Sequence, residues 1–139
     1  MMIKSQVRAC IERCIAAGCS HGFWPDAAAG AYVVEVPKRE EQGDFSTNFA
    51  LVSAGKMKAK PRDIAAKLAA LLAEESMFSR VEIAGPGFVN LFVRSSAWAT
   101  VLAPIYQQDE CFGASSAGAG RRVMVEFVSA NPTGPLSVG

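Results

Sequence analysis

A single histidine, His21, is all the imidazole that the 139 residues hold, so no catalytic scheme needing two imidazoles can be assembled within the chain. No apolar run reaches the ~18 residues that a membrane span requires. Charge of one sign is not in excess either. The formal net charge of +1 excludes a polybasic tail, though not a local basic patch. The opening Met1-Met-Ile-Lys-Ser-Gln6 lacks the long apolar stretch of a secretory signal. Cys10, Cys14, Cys19 and Cys111, without such a signal, are expected as reduced thiols, and the expected location is cytoplasmic. Internal repeats are absent. What the chain does have is 50% hydrophobic and 19% charged residues, enough to bury a core rather than remain disordered, at a length of about one small domain.

Hydrophobic periodicity organises the chain. Ile3, Val7, Cys10, Ile11, Cys14 and Ile15 recur at helical spacing, with Lys4, Arg8, Glu12 and Arg13 on the other side, which predicts a helix from Ile3 to Ala17 stopped by Gly18. Ala31 to Val36 is rich in β-branched residues and ends at Pro37, as a strand would. Lys38 to Asp44 reads as a charged loop. Ser46 to Met57 is expected to be a helix, with Phe45, Phe49 and Val52 inward and Asp44 or Ser46 as its cap. Pro61 opens a further helix to about Glu75, since its missing N–H costs nothing in the first helical turn.

Two strands, Arg80–Ala84 and Phe88–Val93, follow across a Gly85-Pro86-Gly87 turn. In the second, Phe88, Asn90 and Phe92 alternate with Val89, Leu91 and Val93. A helix capped by Ser95 or Ser96 is predicted to reach about Gln107. The small-residue run Ala114 to Gly120 reads as a linker and domain boundary. Beyond it, Arg122 to Val128 has the near-continuous apolar character of a strand buried on both faces of a parallel sheet. Such a strand needs neighbours, yet only eleven residues follow it, including the turn-rich Asn131-Pro-Thr-Gly-Pro-Leu136. The expectation is a fragment that ends where a second domain begins.

Chemistry-bearing clusters are few. Cys10, Cys14, Cys19 and His21 offer potential zinc ligands, but their spacing matches no structural zinc signature, and Cys10 and Cys14 fall on the apolar face of the first helix. They are expected to be core residues, and no metal site is assigned. The rival, a cysteine-based metal-binding domain, would carry stoichiometric zinc. Residues 38–67 hold seven of the fourteen Lys and Arg against four acids, whereas residues 68–139 hold four bases against six acids. A basic surface around Lys56, Lys58, Lys60 and Arg62 suits a phosphate backbone; a solvated face with snorkelling lysines is the other reading. Phe88 and Asn90, on one strand face after the turn, are an arrangement that stacks and hydrogen-bonds a splayed base.

Val125-Glu-Phe-Val-Ser-Ala-Asn-Pro-Thr-Gly-Pro-Leu-Ser-Val-Gly139 closely resembles the first catalytic strand and loop of arginyl-tRNA synthetases, where Ser-x-Asn-Pro-x-x-Pro-Leu precedes the His-x-Gly-His signature of class I synthetases. Two further stretches are similar to the N-terminal domain peculiar to that family: Pro37, Lys38, Gly43, Asp44, Phe45, Thr47 and Asn48, and Ala84-Gly-Pro-Gly-Phe-Val-Asn-Leu-Phe92. The resemblance implies an α+β fold. Residues 1–117 would form the N-terminal additional domain, an antiparallel sheet with packed helices that binds the D-loop at the corner of tRNA. Residues 118–139 would be a linker and the first strand of a truncated class I nucleotide-binding, Rossmann-like catalytic domain.

By the same resemblance Phe88 and Asn90 occupy positions of tRNA contact, and Ser129 and Asn131 line the arginine pocket. Ligands of parallel α/β sheets do sit beyond the carboxyl ends of strands, and a serine and an amide suit an amino acid's ammonium and carboxylate. Glu126, mid-strand in an apolar run, needs either a neighbouring base or a substrate role if buried. Ser137 stands where the family carries its first signature histidine. Those imidazoles stabilise ATP phosphates, and serine donates a hydrogen bond but carries no positive charge. The parent is thus expected to form arginyl-adenylate from L-arginine and ATP with Mg2+ and to charge its tRNA, with no membrane or DNA partner, while the 139 residues alone are expected to be inactive. The alternative is a free-standing, non-catalytic RNA-binding module.

Overall fold

A computed structural model describes residues 2–25 and 31–126. Its core element is a four-stranded antiparallel sheet in the order β1-β2-β4-β3, built from β1 (Val34–Glu35), β2 (Phe45–Thr47), β3 (Phe78–Ala84) and β4 (Phe88–Val93). Helices α1 (Met2–Ser20), α2 (Phe49–Met57) and α3 (Pro61–Ala73) stack together, with α3 on β3 and β4 and α2 on β4. Two short helices, α4 (Ser95–Ala99) and α5 (Leu102–Gln108), follow the sheet. The architecture is therefore α+β with an antiparallel sheet, as expected.

The alternation in β4 sorts its side chains by face. Val89, Leu91 and Val93 are buried in a core shared with Val7, Ile11, Phe49, Ile64, Leu68 and Leu72. Burying each such side chain contributes about 1.5–3 kcal/mol. The predicted face of α1 is also inward, with Ile3, Val7, Cys10, Ile11, Cys14 and Ile15 all buried. The Cys10 thiol is pushed above its ordinary value by its hydrogen bond with Cys14 and by burial. Pro61 occupies the first turn of α3 as predicted.

Several boundaries differ from the expectations. Gly18 does not stop α1, which continues to Ser20. The glycine is needed for another reason: a Cβ there would overlap the Trp24 indole, which folds back to donate from Nε1 to the Ile15 carbonyl at 2.9 Å. Residues 46 and 47 belong to β2 and not to a helix, because Phe45, Ser46 and Thr47 pair with Leu91, Asn90 and Val89. Helix α2 starts at Phe49, with Asn48 preceding it, and Val52 on that helix is exposed. Neither Asp44 nor Ser46 caps it. Asp44 instead accepts a hydrogen bond from the Val93 N–H at 2.7 Å and donates its own N–H to the Leu91 carbonyl.

Only Val34 and Glu35 of the predicted 31–36 strand pair with a neighbour. The helix expected over 95–107 breaks into α4 and α5 and has no side-chain cap at Ser95 or Ser96; Arg94 precedes it. The predicted 122–128 strand is not seen in its described part. Residues 121–126 are exposed and carry no strand pairing, since none of the four strands runs beside them. Residues 127 and 128 lie outside the described residues.

Candidate nucleic-acid interface

Directly opposed residues of antiparallel strands present their side chains on the same face. The register therefore lays Glu35, Ser46, Asn90 and Glu82 in one row across the four strands, with Phe88 opposite Ala84 and Phe92 opposite Arg80. This face is opposite to that of Val89, Leu91 and Val93. Phe88 and Phe92 are half-buried and stand outside the buried core cluster. The Arg80 guanidinium lies over the Phe92 ring, 3.7 Å from its centroid, and pairs with Glu82 at 3.3 Å.

Beside Phe88 the face is concave. A cavity of about 670 Å³ is lined by Glu35, Lys38, Arg39, Gln42, Ser46, Phe88 and Asn90, together with the β3–β4 turn. The 36–42 segment forms its far wall. Just after that segment Asp44 accepts a hydrogen bond from the Val93 N–H of β4, and just before it the Val33 N–H donates to Asn48 Oδ1 at 2.9 Å. Lys38 and Arg39 are exposed, whereas Asn90 is only 6% exposed. An aromatic ring, an amide and a hydroxyl at the floor with cations at the wall are the components that stack a base and hold its phosphates.

Lys56, Lys58, Lys60 and Arg62 are all exposed and cluster where α2 gives way to α3. Lys58 takes the left-handed conformation, φ 50°, that ends α2 and turns the chain. The β3–β4 turn reaches this corner: a Cβ on Gly87 would lie 2.9 Å from Pro61 Cβ. The basic corner and the strand bearing Phe88 are thus neighbours through the Gly87–Pro61 contact.

Glu126 is exposed, so the burial that would call for a neighbouring base is not seen. Ser129, Asn131 and Ser137 lie outside the described residues. Sequence reasoning missed Lys38, Arg39 and Ser46 as parts of the concavity. The charge excess of residues 38–67 was the available signal for the two cations; nothing local marked Ser46 as opposite Asn90. Among the described residues no helix is long and apolar enough to cross a membrane.

Comparison with known proteins places the chain in a family and agrees with the fold. The family model of the arginyl-tRNA synthetase N-terminal domain matches residues 1–93. An arginine–tRNA ligase of Desulfotalea psychrophila is 54% identical over 139 residues, covering 99% of this chain and 25% of the relative. One from Thioalkalivibrio sulfidiphilus is 47% identical over 137 residues, covering 99% of this chain and 23% of the relative. The chain thus spans about a quarter of the length of the curated relatives it matches. In fold it is similar to the crystal structure of arginyl-tRNA synthetase from Plasmodium falciparum, with a TM-score of 0.58 at 14% identity over 72% of this chain and 17% of that one. An antiparallel sheet with one helix-packed face and a family match across its whole extent leave a single assignment: the chain belongs to the arginyl-tRNA synthetase N-terminal domain family.

Proposed function

We propose that this chain is the tRNA-docking part of an arginine–tRNA ligase, with residues 1–117 binding the D-loop corner of tRNA. Phe88 stacks a splayed base, Asn90 hydrogen-bonds its edge, and Lys56, Lys58, Lys60 and Arg62 hold the adjacent phosphate backbone. The observation that carries this reading is a half-buried Phe88 two residues from Asn90 on the sheet face turned away from the core, both lining a cavity of about 670 Å³. Residues 118–139 are read as the linker and the first catalytic strand, with Ser129, Asn131 and Glu126 contributing to an arginine pocket and Ser137 at the first signature position.

The parent activity under this reading joins L-arginine to its tRNA through an adenylate, in the cytoplasm, with ATP and Mg2+ as substrates. No described residue is assigned to ATP or the metal, and the chain on its own is expected to support no pyrophosphate exchange. The test is the salt dependence of arginine-tRNA binding. Each phosphate contact contributes about 0.7–0.9 to the slope of log K against log salt, so replacing Lys56, Lys58 and Lys60 by Gln should lower that slope by about 2–3. An unchanged slope would remove these lysines from the interface.

A further inference from the structure

Two buried thiols and one carboxylate converge where α1 meets the end of α3. Cys10 and Cys14, one helical turn apart on the inward face of α1, are 1% and 4% exposed. Glu75, just past the end of α3, brings its carboxylate to them, so that the two Sγ atoms and a Glu75 oxygen all lie within 4.8 Å of one another. The two carboxylate oxygens are differentiated. Oε1 accepts from the Cys14 thiol at 3.8 Å, while Oε2 is held by the Arg13 guanidinium at 3.1 Å.

From this geometry we propose that Cys10, Cys14 and Glu75 form a binding site for a soft divalent cation of the zinc class. Sulfur ligands exclude Mg2+ and Ca2+, which take six or more oxygens, and select a thiophilic d10 ion. Ligand distances of about 2.3 Å to sulfur and 2.0–2.2 Å to oxygen place tetrahedral donors roughly 3.5–3.8 Å apart. Closing the observed cluster to that spacing asks for side-chain movements of about an ångström, without unwinding α1.

Charge supports the same assignment. Two thiolates and a carboxylate carry three negative charges; a divalent ion and the Arg13 guanidinium cancel them, so the buried site is neutral when loaded. Arg13 also fixes the carboxylate from its outer oxygen, as partners of metal ligands do. The Glu75 side chain is 28% exposed, so water can reach the carboxylate edge of the cluster and supply a fourth ligand. Three protein donors with one open position differ from the closed sites of zinc knuckles. The site also differs from the Cys/His cluster that the sequence suggests, because Glu75 lies 61 residues from Cys14 and Cys19 and His21 are not members.

The experiment is titration of the reduced, 139-residue chain with zinc against a chromophoric chelator, and with cadmium read by its ultraviolet thiolate charge-transfer band. One ion per chain is expected, with a two-thiolate cadmium band. Cys14→Ala should abolish the site. Glu75→Gln and Arg13→Ala, both at partly exposed positions and so independent of whether a core cysteine variant folds, should each weaken zinc about 10-fold or more. Cys19→Ser and His21→Ala should leave affinity and band unchanged. Absence of saturable zinc binding, full affinity in both Glu75→Gln and Arg13→Ala, or loss of the site through Cys19 and His21 instead would overturn the proposal.

Discussion

Gly87 backs directly onto Pro61, and that contact couples the β3–β4 turn to the basic corner between α2 and α3. A Cβ at position 87 would stand 2.9 Å from Pro61 Cβ and 3.2 Å from its carbonyl carbon, and the glycine's φ of +154° is one that side chains rarely adopt. Gly87→Ala must therefore either strain the turn or lift it from α3. Overpacking and backbone strain of this kind cost about 1–3 kcal/mol. The expected outcome is a lower denaturation midpoint together with weaker tRNA binding, since Phe88 follows the displaced turn; wild-type values for both would deny the coupling.

The second prediction sets propensity against packing at Gly18. Alanine in a helix interior is favoured over glycine by about 1 kcal/mol, so an isolated α1 peptide should gain helicity from Gly18→Ala. In the folded chain the new methyl would overlap the Trp24 indole, which packs edge-on to Phe49 at a centroid distance of 5.7 Å. Displacing that ring also breaks its bond to the Ile15 carbonyl. A net loss of about 1–3 kcal/mol is expected, measured by chemical denaturation. A more stable variant would mean that Trp24 does not close on α1.

Asp44 gives the third. Its carboxylate is the acceptor for the Val93 N–H at the end of β4, at 2.7 Å. Asp44→Ala leaves that amide without its charged partner, at a cost of about 1.5–3 kcal/mol. Asp44→Asn keeps an acceptor oxygen and should recover about half of the loss. Amide exchange at Val93 reports the bond directly: it should quicken in Asp44→Ala and remain intermediate in Asp44→Asn.

These residues also show what could and could not be read in the sequence. β3, β4 and α3 were legible because strict alternation, the Gly85–Gly87 turn and Pro61 are local signals. The face carrying Phe88 and Asn90 followed from the same alternation, and the resemblance supplied its use. Ser46 and Thr47 were misread as helical because what makes them a strand is pairing with Asn90 and Val89, more than forty residues away. Asp44 looked like a cap for the same reason, since its true partner is the distant Val93. Gly18 looked like a stop because its role is set by Trp24, and the Cys10–Cys14–Glu75 cluster was invisible to spacing rules that consider only neighbouring ligands.

The central claim is that Phe88 and Asn90 form a base-binding face, and binding of arginine tRNA to Phe88→Ala and Asn90→Ala tests it most directly. Phe88 is half-buried and lies outside the core cluster, so its truncation should leave the fold and denaturation midpoint largely intact. Loss of a stacked base should weaken tRNA binding by about 1–3 kcal/mol, with the salt slope unchanged because no phosphate contact is removed. Asn90→Ala should weaken binding without altering the slope either. If Phe88→Ala instead unfolds the chain while a folded Asn90→Ala binds tRNA as tightly as wild type, the ring is core and this face does not read RNA.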